Sequence, residues 1–246
     1  MDQHLMGRRG FFRLGAFAAL ATAASPLIAR DLAWAKIPKP VCNPGAPASP
    51  AEALAALVQG NSDWAAGNQE HPGEDAMRRS CLATSRQTPF ASILSCSDSR
   101  CPPELLFDQG LGDLFVARVA GNTASGRLID SLLYGTDDLG TQLLFVLGHS
   151  ACGAVAAAVS SYPFPNLRLP FVNLIFPAVK QAKSIVKRNG GNPNDPAQVI
   201  PVATNQNVVL TVKELKRYFR LNHNQIAGGV YDLGTQLVTL ATDLSI

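Results

Sequence analysis

Residues 90–103 read FASILSCSDSRCPP. The first half is a short apolar run of β-forming residues, and Pro102 and Pro103 end any ladder that it joins. Phe90 to Cys96 is therefore expected to be a buried strand that runs into a loop. On an extended chain alternate residues share a face, so Cys96, Asp98 and Arg100 are expected to point together at the strand's carboxyl end. Ligands of open α/β sheets gather at that end. Two more apolar runs have the same character, LFVARV at 114–119 and QLLFVLG at 142–148. Between them, SGRLIDSLLYGTDDLG places Leu128, Leu132, Leu133 and Leu139 at helical spacing, with Gly140 as the stop. Alternation of strand and helix predicts an α/β domain with a mainly parallel sheet flanked by helices.

Further helices extend this pattern. Ser49, Pro50 and Glu52 form a helix start, with a cap, a proline in the first turn and a reciprocal acid, and Leu54, Leu57, Val58 and Trp64 supply an apolar face. A short helix is expected around Glu74 to Leu82. PFVNLIFPAVKQAKSIVKRNGG (170–191) reads as a helix bent at Pro177, and NVVLTVKELKRYFRLN (207–222) as another. The final IAGGVYDLGTQLVTLA (226–241) reads as a hairpin turning at Leu233 to Gln236, which adds a last strand at or near the sheet edge.

The 246 residues, 47% hydrophobic and 16% charged, suit one domain with a sizeable core. Arg8, Arg9, Arg13 and Arg30 against Asp2 and Asp31 carry two of the three net positive charges, so the rest has no basic field for nucleic acid. The segment GRRGFFRLGAFAALATAASPLIA, followed by AWA at 33–35, resembles a bacterial twin-arginine export signal. Its apolar run from Leu14 to Ile28 falls short of the ~20 residues that span a bilayer, so no stable membrane insertion is expected after cleavage. The expected organisation is a signal peptide over 1–35 cleaved near Ala35, a proline-rich arm over 36–49 and a folded domain over 50–246. A periplasmic location and passage through the twin-arginine machinery follow from that reading.

A second cluster, GHSACGAV at 148–155, follows the third strand. If a helix begins there, His149 and Cys152 chelate one ion from a single turn. Cys96 adds a third ligand. Two thiolates and an imidazole with an open fourth position match catalytic zinc, one ion per chain, whereas structural zinc usually has four protein ligands. Taken singly, each of these residues is an ordinary buried side chain. Cys96 and Arg100 are too close in sequence for a phosphatase loop, and no C-x-x-C is present. Cys42 and Cys81 are left as a possible disulfide of an oxidising compartment. His71 and His223 are possible proton relays, Lys213, Lys216, Arg217 and Arg220 a solvated face, and Trp64 a core residue.

CSDSRCPPELLFDQGLGDLFVARVAGN (96–122) and LGHSACGAV (147–155) resemble the beta-class carbonic anhydrases, with their C-x-D-x-R and H-x-x-C motifs. The resemblance spans most of residues 50–241. It implies a parallel α/β sheet with an additional antiparallel edge strand, and a homodimer or a dimer of dimers. Cys96, His149 and Cys152 match the zinc ligands, and Asp98 with Arg100 the catalytic dyad. Gln87, Phe115, Ala120, Tyr134 and Gly153 match substrate-binding positions, with Gln87 hydrogen-bonding bicarbonate and Tyr134 reaching the site across the dimer interface. Leu133 stands where an acid is common. Ile93 replaces the tryptophan of bicarbonate-regulated members, which with Gln87 argues against that subtype. The implied activity is reversible hydration of CO2 to bicarbonate and a proton by a zinc-bound hydroxide. Asp98 orients that group, and Arg100 keeps Asp98 ionised. In a closed state Asp98 is a possible fourth zinc ligand. Hydrolysis of CS2 or COS on the same scaffold, and a zinc-binding module without turnover, are the alternatives.

Overall fold

A computed structural model describes residues 42–218 and 225–241. The export-signal reading, most of the proline-rich arm, Arg220 and His223 lie outside the described residues. Five strands form one sheet: β1 (Ala91–Ser95), β2 (Leu114–Arg118), β3 (Leu143–His149), β4 (Ile226–Tyr231) and β5 (Val238–Leu240). Their order is β2-β1-β3-β4-β5. All neighbours are parallel except β4 and β5, so the terminal hairpin supplies the antiparallel edge strand.

The strands read as continuous apolar runs because both faces of the sheet are covered. On β1 and β3, Ile93, Phe145 and Leu147 enter one core with Leu57, Leu106 and Val155, while Leu94, Leu144 and Val146 enter the other with Leu132, Val208 and Val212. The first core is covered by helices α1 (Pro50–Ala66), α3 (Pro103–Leu106), α5 (Gly153–Ser161) and α6 (Phe176–Arg188). The second is covered by α4 (Gly126–Leu133) and much of the long α7 (Pro196–Tyr218). α7 lies close to the sheet because Gly148 and Gly228 present no side chain. A Cβ on either would stand 2.6 or 2.7 Å from a methyl of Val208.

α1 starts as its sequence requires, with the Glu52 N–H donating to Ser49 Oγ at 3.2 Å. The reciprocal bond falls one residue earlier than in a standard box, from the Ala48 N–H to Glu52 Oε2. Its buried stripe is Ala53, Leu57, Gly60 and Asn61, and Val58 is exposed. Buried Asn61 joins three elements. Its amide donates to the carbonyls of Leu106 and Gln236, and its oxygen accepts from the Val238 N–H at 2.7 Å.

Several sequence expectations are corrected. β2 is only half-buried, because it is an outer strand and among the described residues no strand pairs with its far edge. Pro177 does not bend a helix: a 3₁₀ segment, Pro170–Ile175, ends before it, and Pro177 sits in the first turn of α6. α7 begins eleven residues earlier than its apolar pattern and passes through Pro201. That proline is exposed, as is Ala197, whose carbonyl loses its helical partner, so solvent satisfies the broken bond. The helix after β2 widens into a π turn at Tyr134–Asp138 before Gly140.

Cys42 and Cys81 form a disulfide, with their Cα atoms 5.8 Å apart. It fastens residue 42 to α2 (Ala76–Thr84) beside a buried ion pair between Arg78 and Asp113. Arg78 also donates to the carbonyls of Cys42 and Leu111, and Asn43 Nδ2 donates to Asp113 Oδ1 at 2.8 Å. These bonds anchor both the arm and the loop that enters β2.

Candidate metal centre

β1 and β3 end side by side, since Ser95 is in register with Leu147. Cys96 follows at once on β1, and β3 continues two residues to His149. Ser150 and Ala151 then turn the chain, Ala151 at a positive φ of 52°, and Cys152 caps the start of α5. His149 and Cys152 thus meet across a strand-to-helix turn, not along one helical turn as their spacing suggested. The ligand atoms of Cys96, His149 and Cys152 lie within 4.8 Å of one another, and all three residues are buried.

Each donor is aimed. His149 Nδ1 lies 2.9 Å from the Ser150 carbonyl, which accepts its proton and leaves the Nε2 lone pair facing the two sulfurs. That Nε2 is buried without a hydrogen-bond partner. The Gly121 N–H donates to Cys96 Sγ at 3.2 Å, from a backbone held at φ 75°. Buried Asn207 of α7 fixes that peptide by donating to the Gly121 carbonyl at 2.8 Å. A side chain on Gly121 would place its Cβ 2.8 Å from Ile175 Cδ1. Sequence reasoning missed Asn207 and Gly121 because neither belongs to a ligand motif.

The contact with Cys152 holds the Cys96 thiol far below its ordinary value, and that contact with burial pushes Cys152 up. Two buried sulfurs and an unpartnered imidazole nitrogen make a donor set suited to a soft divalent cation. The residues fit zinc.

Asp98 stands beside the ligands, with Oδ2 3.8 Å from His149 Nε2. The loop is not extended there. Asp98 and Arg100 face each other because the chain folds back, so the Arg100 N–H and Nε both donate to Oδ1, at 3.0 and 2.9 Å, and Nη2 to Oδ2 at 2.7 Å. Arg100 holds the Asp98 carboxyl well below the usual carboxylate range.

The family of carbonic anhydrases matches residues 91–238. The chain is a beta-class carbonic anhydrase. It is 37% identical over 142 residues to carbonic anhydrase 2 of Mycobacterium tuberculosis, covering 58% of this chain and 68% of that one. It is similar in structure to a beta-carbonic anhydrase of Aspergillus fumigatus, with TM-score 0.56 and 25% identity over 78% of this chain and 92% of that one. The Coccomyxa beta-carbonic anhydrase in complex with acetazolamide gives TM-score 0.54 and 28% identity over 76% and 85%.

Against that family, the expected substrate residues divide into two groups. Ala120 adjoins Gly121 at the ligand end, and Gly153 follows Cys152, with nothing within 4 Å of where its Cβ would be. Phe115 and Tyr134 lie elsewhere, with ring centroids 5.9 Å apart on the β2 side of the sheet. Phe115 is in register with Ser92, three residues and so about 10 Å before the strand's carboxyl end. Tyr134 and Gln87 are exposed. Within one chain, Phe115 and Tyr134 are not drawn to the ligand cluster as Ala120 and Gly153 are. His71 is a surface residue 3.5 Å from Glu74.

Proposed function

We propose that this beta-carbonic anhydrase hydrates CO2 reversibly at the cluster of Cys96, His149 and Cys152, with Asp98 and Arg100 as the dyad that orients the attacking group. The observation that carries this is a buried Cys-His-Cys set with the Arg100-bound carboxylate of Asp98 held beside it. Zinc held there supplies Lewis acidity, which makes water a nucleophile near neutral pH. The remaining steps belong to the chain. Asp98, acceptor-only while ionised, takes a hydrogen bond from the attacking water and so aims its lone pair at the carbon of CO2. Arg100 occupies both carboxylate oxygens, which keeps Asp98 charged and engages it as an acceptor beside the ligand atoms, in keeping with an open site. The Gly121 N–H draws charge from Cys96 Sγ and so weakens the thiolate's neutralising effect. Stopped-flow CO2 hydration with zinc counted per chain tests the reading. The parent should carry about one zinc and be active, and Asp98→Asn should keep zinc while losing about 100-fold in kcat. Zinc without rate enhancement, or faster turnover of COS or CS2, would reject it.

The chain acts, in this reading, as at least a dimer, in which Gln87, Phe115 and Tyr134 of one copy complete the site of the other. The separation of Phe115 and Tyr134 from their own ligand cluster supports it, as does the position of β2 as the outer strand among the described residues. Export through the twin-arginine route, which carries folded proteins, would load zinc before the thiolates meet an oxidising compartment. The paired Arg8 and Arg9, the AWA site and the Cys42–Cys81 disulfide support a periplasmic location. Among the described residues, no helix is long and apolar enough to cross a membrane.

A further inference from the structure

The segment that carries Cys96, Asp98 and Arg100 leaves the sheet after Ser95, and its backbone needs another anchor. The bonds between Asp98 and Arg100 do not provide it. Residues two apart on one loop fix each other, but they can move together. Arg100 is half exposed, and it reaches across to the Ala151 carbonyl only at 3.3 Å.

Arg118 supplies the missing tie. It is the last residue of β2 and stands in register with Ser95. Its Nε donates to the Cys96 carbonyl at 2.9 Å, and its Nη2 to the Asp98 carbonyl at 2.5 Å. A guanidinium holds these two donors in one rigid plane, so it fixes both carbonyls relative to each other and to β2. Among the described residues Arg118 pairs with no carboxylate, and the side-chain bonds of its exposed guanidinium go to the two carbonyls. The Asp98 carbonyl also accepts the Cys101 N–H at 3.2 Å, which closes the turn that presents Arg100.

We propose that Arg118 is a positioning residue of the reaction. Its guanidinium forks onto the carbonyls of Cys96 and Asp98, and this sets where the Asp98 carboxylate stands relative to Cys96, His149 and Cys152. The role rests on the carbonic anhydrase reading. It lies outside the C-x-D-x-R motif because Arg118 holds the motif by its backbone, and backbone atoms leave no mark in a pattern of side chains.

The test compares Arg118→Ala and Arg118→Lys with the parent, measuring zinc content, kcat and KM for CO2, and amide hydrogen exchange. Arg118→Ala should keep about one zinc per chain and lose about 10- to 100-fold in kcat, with KM within about threefold. The Arg100 and Cys101 amides should exchange at least about tenfold faster while those of β3 stay unchanged. Arg118→Lys, which keeps the charge but reaches one carbonyl at a time, should fall between the two, and added guanidine should restore part of the kcat of Arg118→Ala. Exchange that quickens equally in β1 and β3 would overturn the proposal in favour of general loosening. So would a kcat within about twofold of the parent in Arg118→Ala, or parent-like behaviour of Arg118→Lys should Arg118→Ala fail to fold. An inactive parent would instead reject the enzymatic reading, and the exchange result would still report whether the fork holds the loop.

Discussion

Three cysteines are free and buried, and the structure gives them different work. Cys96 and Cys152 face His149, while Cys101, five residues beyond Cys96, is 1% exposed and belongs to the core. Burial, together with the nearby charges of Asp98 and Cys96, pushes the Cys101 thiol up to about 11. An unfolded thiol titrates near ~8.5. Between these values the unfolded chain sheds a proton that the folded chain retains, so stability is full below about pH 8.5 and falls as pH rises towards 11. The loss should reach about 2 to 3 kcal/mol at the upper end. Urea unfolding at pH 8 and pH 10.5 should show a steeper decline for the parent than for Cys101→Val, and equal declines would refute the assignment. At this scale the motif residues were legible, because thiol, imidazole and carboxylate declare their chemistry. The tautomer of His149 and the bonds from Asn207 and Gly121 were not, since they depend on which backbone groups come within 3 Å.

At the scale of elements, β1 and β3 could be read because burial on two faces writes an unbroken apolar run, and the hairpin because turn residues separate its two β-rich runs. α7 starts well before the apolar pattern that begins at Asn207, and its passage through Pro201 is tolerated because that proline is exposed. The arm carried no periodic pattern, yet one covalent bond and the bonds of Arg78 hold it to α2. The bond closes a separation of 39 residues and so should stabilise the fold by about 3 to 4 kcal/mol. Replacing Arg8→Lys and Arg9→Lys together should keep the chain in the cytoplasm with Cys42 and Cys81 reduced, and that material should unfold at lower denaturant than the exported form. Normal export of the double variant would count against the twin-arginine route, and equal unfolding midpoints would count against the clamp.

For the whole molecule, one chain leaves two needs unmet. Among the described residues no strand pairs with the outer edge of β2, and Phe115 and Tyr134 sit on that side of the sheet without a ligand cluster of their own. A second copy at that edge answers both. Chains carrying Asp98→Asn and chains carrying Gln87→Ala with Phe115→Ala, each poorly active alone, should recover roughly a quarter of parent activity when refolded together, because half the dimers then hold one intact site. No recovery, or a monomer by light scattering, would refute shared sites. By itself, the sequence determined the strand pattern, the ligand set and the dyad, since these depend on residue type and on spacing along the chain. Tertiary structure decided how His149 meets Cys152 and which atoms steady the loop of Asp98. It also paired Cys42 with Cys81 and placed Phe115 and Tyr134 far from their own chain's ligands. Each of these depends on distances between segments remote in sequence, which packing of the two cores against the sheet sets and no local pattern encodes.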